Sequence, residues 1–263
     1  MALKTLEIEF IDIPGVNIPV RPEVAYTGKN LFETQLYAQD NGFVDLDSPE
    51  SNIIAYFVRP ETPKAEWVKQ QAEKFKVKRG TVENAYANLH DDIWKKYWIR
   101  TGEILAWPPY SKRIVNSELN RKSKKPILLR GYEVLEKSKG DYVIKGGKVI
   151  EVDWPKENVT IPKNLLELLN AKDDTYIWTN PNPEFYEGLR ALAWHFRLRG
   201  GPDLVSGWGP WDSGSGMGSL LGRSADRGFI RVPKARYREL IKFGDKISSL
   251  NEEWQKLVSE LHE

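Results

Sequence analysis

The chain of 263 residues has no cysteine. That absence excludes disulfides, thiol catalysis and every cysteine-ligated zinc finger. Histidine is nearly as scarce: His90, His195 and His262 lie far apart and match none of the short spacings of a zinc site. No metal and no cofactor is therefore expected. No uninterrupted apolar run approaches the roughly 20 residues that a membrane span needs, so no membrane partner is expected. The opening residues, MALKTLEIEF, lack the apolar centre of a secretory signal, which leads to an expectation of cytoplasmic location. Charge of one sign is also missing. The 39 Lys and Arg nearly cancel the 37 Asp and Glu, leaving +2. A uniformly basic nucleic-acid coat is excluded, while local basic patches are not. Neither a Gly-x-Ser-x-Gly elbow, nor His-Glu-x-x-His, nor a dinucleotide fingerprint occurs, and no catalytic residue is assigned.

Apolar residues make up 40% of the chain and include ten Trp, enough for a sizeable core. Two Met, no Cys and many charges fit a heat-adapted protein. The pattern predicts an α+β fold in which a helical block is embedded in, or flanked by, β-rich regions. Residues 1–47 read as β-rich, because Leu6, Ile8 and Phe10 alternate with Glu7 and Glu9 before Pro14-Gly15, Pro19 and Pro22. Residues 48–110 read as helical. Thr62 and Pro63 look like an N-cap and first helical position. Val68, Ala72 and Phe75, then Val82, Ala85, Leu89 and Ile93, form two stripes at helical spacing, closed by Pro108-Pro109. Residues 111–263 read as an α+β region. Its first stretch, 111–130, carries seven basic residues against the single acid Glu118 and reads as a loop. Tyr142–Ile144 and Lys148–Val152, joined by Gly146-Gly147, read as a hairpin. Asn164–Leu169, Tyr186–Leu198 and Ile241–Leu261 read as helices. Residues 199–228 read as a Gly/Trp-rich loop, with nine glycines in 200–228.

Residues 67–89 carry the clearest chemistry. A helix-turn-helix needs a small residue where its helices nearly touch, and Ala72 fits. Phe75 and Val77 flank the turn, and Val82, Ala85 and Leu89 give the second helix an inner face. Lys78, Arg79, Thr81 and Asn84 then face outward, where they reach bases and phosphates. The segment resembles the DNA-binding domain of GntR-type regulators in Ala72, Glu73, Val77, Arg79, Thr81, Val82, Ala85 and Leu89. Lys76 stands where that family has a left-handed turn glycine, and Lys78 where it has a capping Ser. The resemblance implies double-stranded DNA as partner. A plain helical hairpin within a larger core is the alternative.

A second, looser likeness is to the SpoVT/AbrB swapped hairpin over 148–178, carried by Val159-Thr160-Ile161, Pro162, Lys163 and Leu169, and echoed at Pro233, Lys234 and Leu240. That resemblance implies DNA contacts at Lys148, Lys163, Arg231 and Lys234. Lys122, Lys124 and Lys125 are the expected phosphate contacts of the basic stretch. In the Gly/Trp-rich segment, Arg199 and Arg223 could neutralise a phosphate, and Trp208 and Trp211 could stack on bases. These features lead to an expected DNA-binding regulator or DNA-processing accessory factor. Two rivals stand beside it: a virion or cellular assembly protein that forms homo-oligomers through its aromatics, and a sugar- or nucleotide-active enzyme using the 197–223 loop.

Overall fold

The computed structural model describes residues 6–179, 184–196 and 202–223. The α+β expectation holds, with five α-helices and thirteen strands among these residues. In chain order they are α1 (Leu31–Asp40), β1 (Phe43–Asp45), α2 (Ser48–Phe57), α3 (Ala65–Phe75), α4 (Arg79–Asp91), β2 (Trp98–Ala106), β3 (Ile114–Val115), β4 (Ile127–Arg130), β5 (Glu133–Ser138), β6 (Asp141–Lys145), β7 (Lys148–Glu151), β8 (Val159–Thr160), α5 (Lys163–Leu169), β9 (Tyr176–Thr179), β10 (Leu189–Phe196), β11 (Pro202–Trp208), β12 (Met217–Ser219) and β13 (Leu221–Arg223). A π-helical turn, Asp92–Lys96, joins α4 to β2, and a 3-10 turn, Phe185–Gly188, precedes β10.

An eight-stranded sheet organises the molecule, in the order β7-β4-β2-β10-β11-β9-β8, with β12 paired to β2. β10 runs along one edge of β2, while β4 and β12 share the other edge, at its carboxyl and amino halves respectively. Alternate side chains serve two cores, as the two-residue period of a strand requires. Leu105, Leu128 and Trp194 join the core that holds the helices α2–α5, whereas Ile104, Ile127, Leu129 and Leu189 face α1 and the small sheet β3-β6-β5. The helices begin where local chemistry permits. Asn30 and Asp47 cap α1 and α2, each in a reciprocal capping box with Glu33 and Glu50.

Several sequence expectations are corrected by this arrangement. The β-rich reading of 1–47 gives way to α1 and the short β1; residues 6–10 form no strand, and Ile11 makes only an isolated bridge to Val20. The 48–110 block ends in β2, a central strand. α3 starts at Ala65, with Lys64 at the N-cap position and no side-chain capping bond, so Thr62 and Pro63 do not begin it, and the Thr62 hydroxyl donates to the Tyr56 carbonyl instead. The 111–130 stretch contains β3 and β4. β6 and β7 do not pair; Gly146 and Gly147 carry the chain from the small sheet to the large one, and the true hairpin is β5–β6. Tyr186–Leu198 contains β10, not a helix. Its near-continuous apolar run arises because a central strand is buried on both faces. Within 199–228 the chain forms β11, β12 and β13. Here two of the glycines mark close packing within strands: a Cβ on Gly218 would lie 2.3 Å from Val24, and one on Gly222 would lie 2.2 Å from Ile18. The helix read at Ile241–Leu261 and the echo around Pro233 lie outside the described residues.

One buried polar knot lies in the central strand. Glu103 is fully buried. Its carboxylate accepts from the Ser48 N–H at 3.0 Å, from the Ser48 hydroxyl, and from Nε of Arg130. Arg130 also donates Nη2 to the Leu168 carbonyl at 3.1 Å. β2, α2, β4 and α5 are thereby tied together. Burial raises the Glu103 carboxyl above its ordinary pKa, opposed by the Arg130 charge. Glu103→Ala leaves Arg130 without its counter-charge, and equilibrium urea denaturation should register a loss of about 3 kcal/mol.

Burial also acts on the phenols. It pushes Tyr26 and Tyr56 up to about 12, and raises Tyr86 and Tyr132 as well. Tyrosine in an unfolded chain ionises near about 10. Above that pH the unfolded chain releases protons that the native state keeps, so stability falls as pH rises. The contribution is complete below about pH 10 and is lost toward pH 12. Denaturation midpoints measured from about pH 9 upward should decline steeply, and the phenolate absorbance of these four tyrosines should appear only with unfolding; ionisation of all tyrosines before unfolding would contradict this.

Candidate nucleic-acid interface

The helix pair forms where the periodicity places it. α3 ends at Lys76, which adopts the left-handed conformation, φ 55° and ψ 42°. The Val77 N–H returns to the Ala72 carbonyl at 3.0 Å. Lys78 then precedes α4 in an extended conformation and makes no side-chain capping bond. Trp67, Val68, Ala72, Val82, Ala85, Tyr86 and Leu89 are buried in the same core as the large sheet. Phe57 of α2 packs edge-on against Trp67 and Tyr86, and the Tyr86 hydroxyl donates to the carbonyls of Phe57 and Arg59. On its other side α3 is fastened to the amino-terminal segment: Trp67 donates to the Asp12 carbonyl at 2.7 Å, Gln71 accepts from the Asp12 N–H at 2.8 Å, and Lys74 pairs with the Asp12 carboxylate.

The outer face carries Lys76, Lys78, Arg79, Asn84 and Asn88, all exposed. None of the three cations makes an ion pair among the described residues. The first turn of α4 contains no acid, so its N–H groups and partial positive charge are not offset within the helix. Thr81 is a correction to the expected outward set. It is buried, and its hydroxyl donates to Glu7 at 2.8 Å, because the amino-terminal segment lies against that side of α4. Asn84 and Asn88 border a shallow notch between α4 and Leu6–Ile8.

The remaining expected residues are dispersed. Lys122, Lys124 and Lys125 are exposed on the β3–β4 connection, and Lys125 pairs with Asp153 at 3.1 Å. No hydrogen bond or ion pair of that connection reaches α3 or α4 among the described residues. Three basic residues of the stretch are committed to other groups of the protein: Arg113 to Asp141 and Glu187, Arg121, itself exposed, to the carbonyls of Tyr110, Ser111 and Ile114, and Arg130 to Glu103. Trp208 and Trp211 are the expected stacking residues. Both are half-buried, Trp208 edge-on to Trp98 and Trp211 edge-on to Phe32, with the Arg113 guanidinium 5.5 Å from the Trp211 ring. The Arg223 guanidinium lies 4.1 Å from the Phe10 ring centre. Lys163 is exposed at the start of α5, and Lys148 borders a separate cleft. Arg199, Arg231 and Lys234 lie outside the described residues. The sequence pattern did not single out Lys76 and Asn88 as members of the outer face, although Asn88 lies one helical turn after Asn84 and Lys76 stands in the same turn as Lys78.

No family model, no curated protein and no solved structure matches this chain. Among the described residues no group of three or more His, Asp or Glu is placed to hold a metal, and no helix is long and apolar enough to cross a membrane.

A left-handed lysine costs about 1 kcal/mol more than a glycine, and an N-cap without a side-chain acceptor forgoes about as much. Lys76→Gly and Lys78→Ser should therefore each raise the unfolding free energy by about 1 kcal/mol, read from denaturation midpoints at constant slope.

Proposed function

We propose that the chain binds double-stranded DNA through α3 and α4, with the outer face of α4 toward the major groove. The observation that carries this reading is the chemistry of the turn. Lys76 stands where glycine costs less, and Lys78 where serine would cap. Both positions give up stability for positive charge, and both lysines remain exposed beside Arg79 and the acid-free amino end of α4. Unpaired charge kept at a local cost suits phosphate contact. Asn84 and Asn88, one helical turn apart, each carry an amide that donates and accepts, the pattern that pairs with an adenine edge. The role is that of a transcriptional regulator or a DNA-processing accessory factor acting in the cytoplasm. Self-association would present two helix pairs to two half-sites. Lys122 and Lys124 add sequence-independent attraction.

The test is binding to DNA selected from a random-sequence pool. Arg79→Ala with Asn84→Ala should cost roughly 1–3 kcal/mol for each base hydrogen-bonding pair removed, while leaving the melting temperature unchanged. Lys76→Gln and Lys78→Gln should each flatten the plot of log affinity against log salt by about 0.9 for every phosphate that is no longer neutralised. Glu7→Gln, which removes the carboxylate beside α4, should tighten binding. A wild-type chain that shows no salt-dependent DNA affinity overturns the reading.

A further inference from the structure

One edge of β2 is covered by β12 as far as Arg100 and by β4 from Ile104 onward. Between them Gly102 pairs with neither strand, and its N–H donates to the Leu46 carbonyl at 2.8 Å. A cleft of about 500 Å³ opens at this gap, between α1, β1, β2 and the β4–β5 turn, and no residue of α3 or α4 lines it. That volume suits a small organic molecule. Gln35, Asp45 and Tyr132, all buried, form its floor. The Asp45 carboxylate and the Tyr132 hydroxyl are sealed from solvent, so a ligand in the cleft does not reach them. The Gln35 amide is not sealed in this way. The residue is 6% exposed, and its side chain makes no hydrogen bond among the described residues. Gly102 leaves it room, since a Cβ there would lie 3.2 Å from Gln35 Nε2. A buried amide without partners costs free energy, and at the floor of a cleft it points to a ligand that supplies the missing bonds.

Unused groups of both kinds line the cleft above this floor. Lys148 is exposed without an ion pair among the described residues, and Arg130 commits Nε and Nη2 but not Nη1. Asp47 accepts from the Glu50 N–H with Oδ1, which leaves Oδ2, and Glu118 is exposed without an ion pair among the described residues. Charge does not choose the ligand. Lys148 and Arg130 attract an anion that Asp47 and Glu118 repel, and the reverse holds for a cation. Behind the lining, Arg130 is already paired with Glu103, Arg100 interacts with Asp45, and Arg21 and Asp45 act in opposite senses on Tyr26. What these groups select is a ligand that donates and accepts at the same atoms, and a hydroxyl does both.

We propose that this cleft binds a neutral polyhydroxylated ring of monosaccharide size, with one hydroxyl on the Gln35 amide and others between the donors of Lys148 and Arg130 and the carboxylates of Asp47 and Glu118. Each hydroxyl accepts from an amide or cationic N–H and donates to an amide or carboxylate oxygen, so the ligand satisfies both kinds of group without bringing a charge of its own. Free sugars, the ribose of a nucleoside and cyclic polyols share this chemistry. The site does not depend on DNA binding by α3 and α4.

The experiment measures the melting temperature and the calorimetric binding isotherm of the full chain with glucose, adenosine and myo-inositol. Cyclohexanol, which keeps a ring but has a single hydroxyl, and the charged sugars glucosamine and glucuronate serve as controls. The expected result is saturable binding and a raised melting temperature with at least one neutral polyhydroxylated ring, and neither with cyclohexanol. Binding by glucose alone identifies free sugars, by adenosine alone nucleosides, and by myo-inositol alone cyclic polyols. Lys148→Met, at an exposed position, should weaken binding about tenfold, the equivalent of one hydrogen bond, without affecting the unliganded melting temperature, and Gln35→Met should weaken it at least as much. If Gln35→Met does not fold, Lys148→Met decides alone. Absence of binding by all three neutral rings, equal binding of cyclohexanol, tighter binding of either charged sugar than of every neutral ring, or unchanged affinity in Lys148→Met overturns the proposal.

Discussion

Burying Glu103 in the middle of the central strand is the constraint on which the rest of the arrangement depends. A carboxylate without solvent must be matched from all sides. Arg130 supplies the charge from β4, and Ser48 supplies two donors from the amino end of α2. The same guanidinium reaches the end of α5. One ionic knot thus fixes the position of α2 over the sheet. It also keeps Arg130 on the wall of the cleft. Replacing the knot by apolar groups need not weaken the fold, but removing one partner strands the other.

From α2 the order passes to the helix pair. Phe57, at the carboxyl end of α2, meets Trp67 and Tyr86, and the aromatic contacts continue the main core beneath α3 and α4. The pair is therefore not a free-standing module joined by a linker. Its inner face is part of the same core as Trp194 and Leu204, so its outer face is held at a fixed attitude to the sheet. This rigidity lets an unfavourable turn persist. The left-handed Lys76 and the uncapped Lys78 are tolerated because Trp67, Ala72, Val82 and Leu89 supply packing that far exceeds about 2 kcal/mol of local cost.

Sequence periodicity made the buried faces of α3, α4 and α5 legible, since an amphipathic helix writes its buried face at every third or fourth position. The same logic failed for β10, where Leu189, Ala191, Leu192, Trp194 and Phe196 are apolar because both faces of the strand are covered. Glycine density misled in a parallel way: Gly218 and Gly222 lie in strands because neighbouring side chains leave no room for a Cβ. At the interface, Lys78, Arg79 and Asn84 were readable from register alone. Thr81 was not, since the residue that covers it, Glu7, is 74 positions away.

What the sequence determined by itself was therefore local: helix faces, a turn with lysines at two costly positions, the absence of thiol chemistry and a nearly balanced charge. Those properties reside in neighbouring residues and in composition. Tertiary structure alone decided which of the seven basic residues of 111–130 are committed to other groups, as Arg113, Arg121 and Arg130 are, and left the lysines exposed. It alone brought Gln35, Asp45 and Tyr132 to one cleft floor. The physical reason is that pairing across a sheet and the burial of charge are set by partners distant in the chain, and no short window of sequence carries their identity.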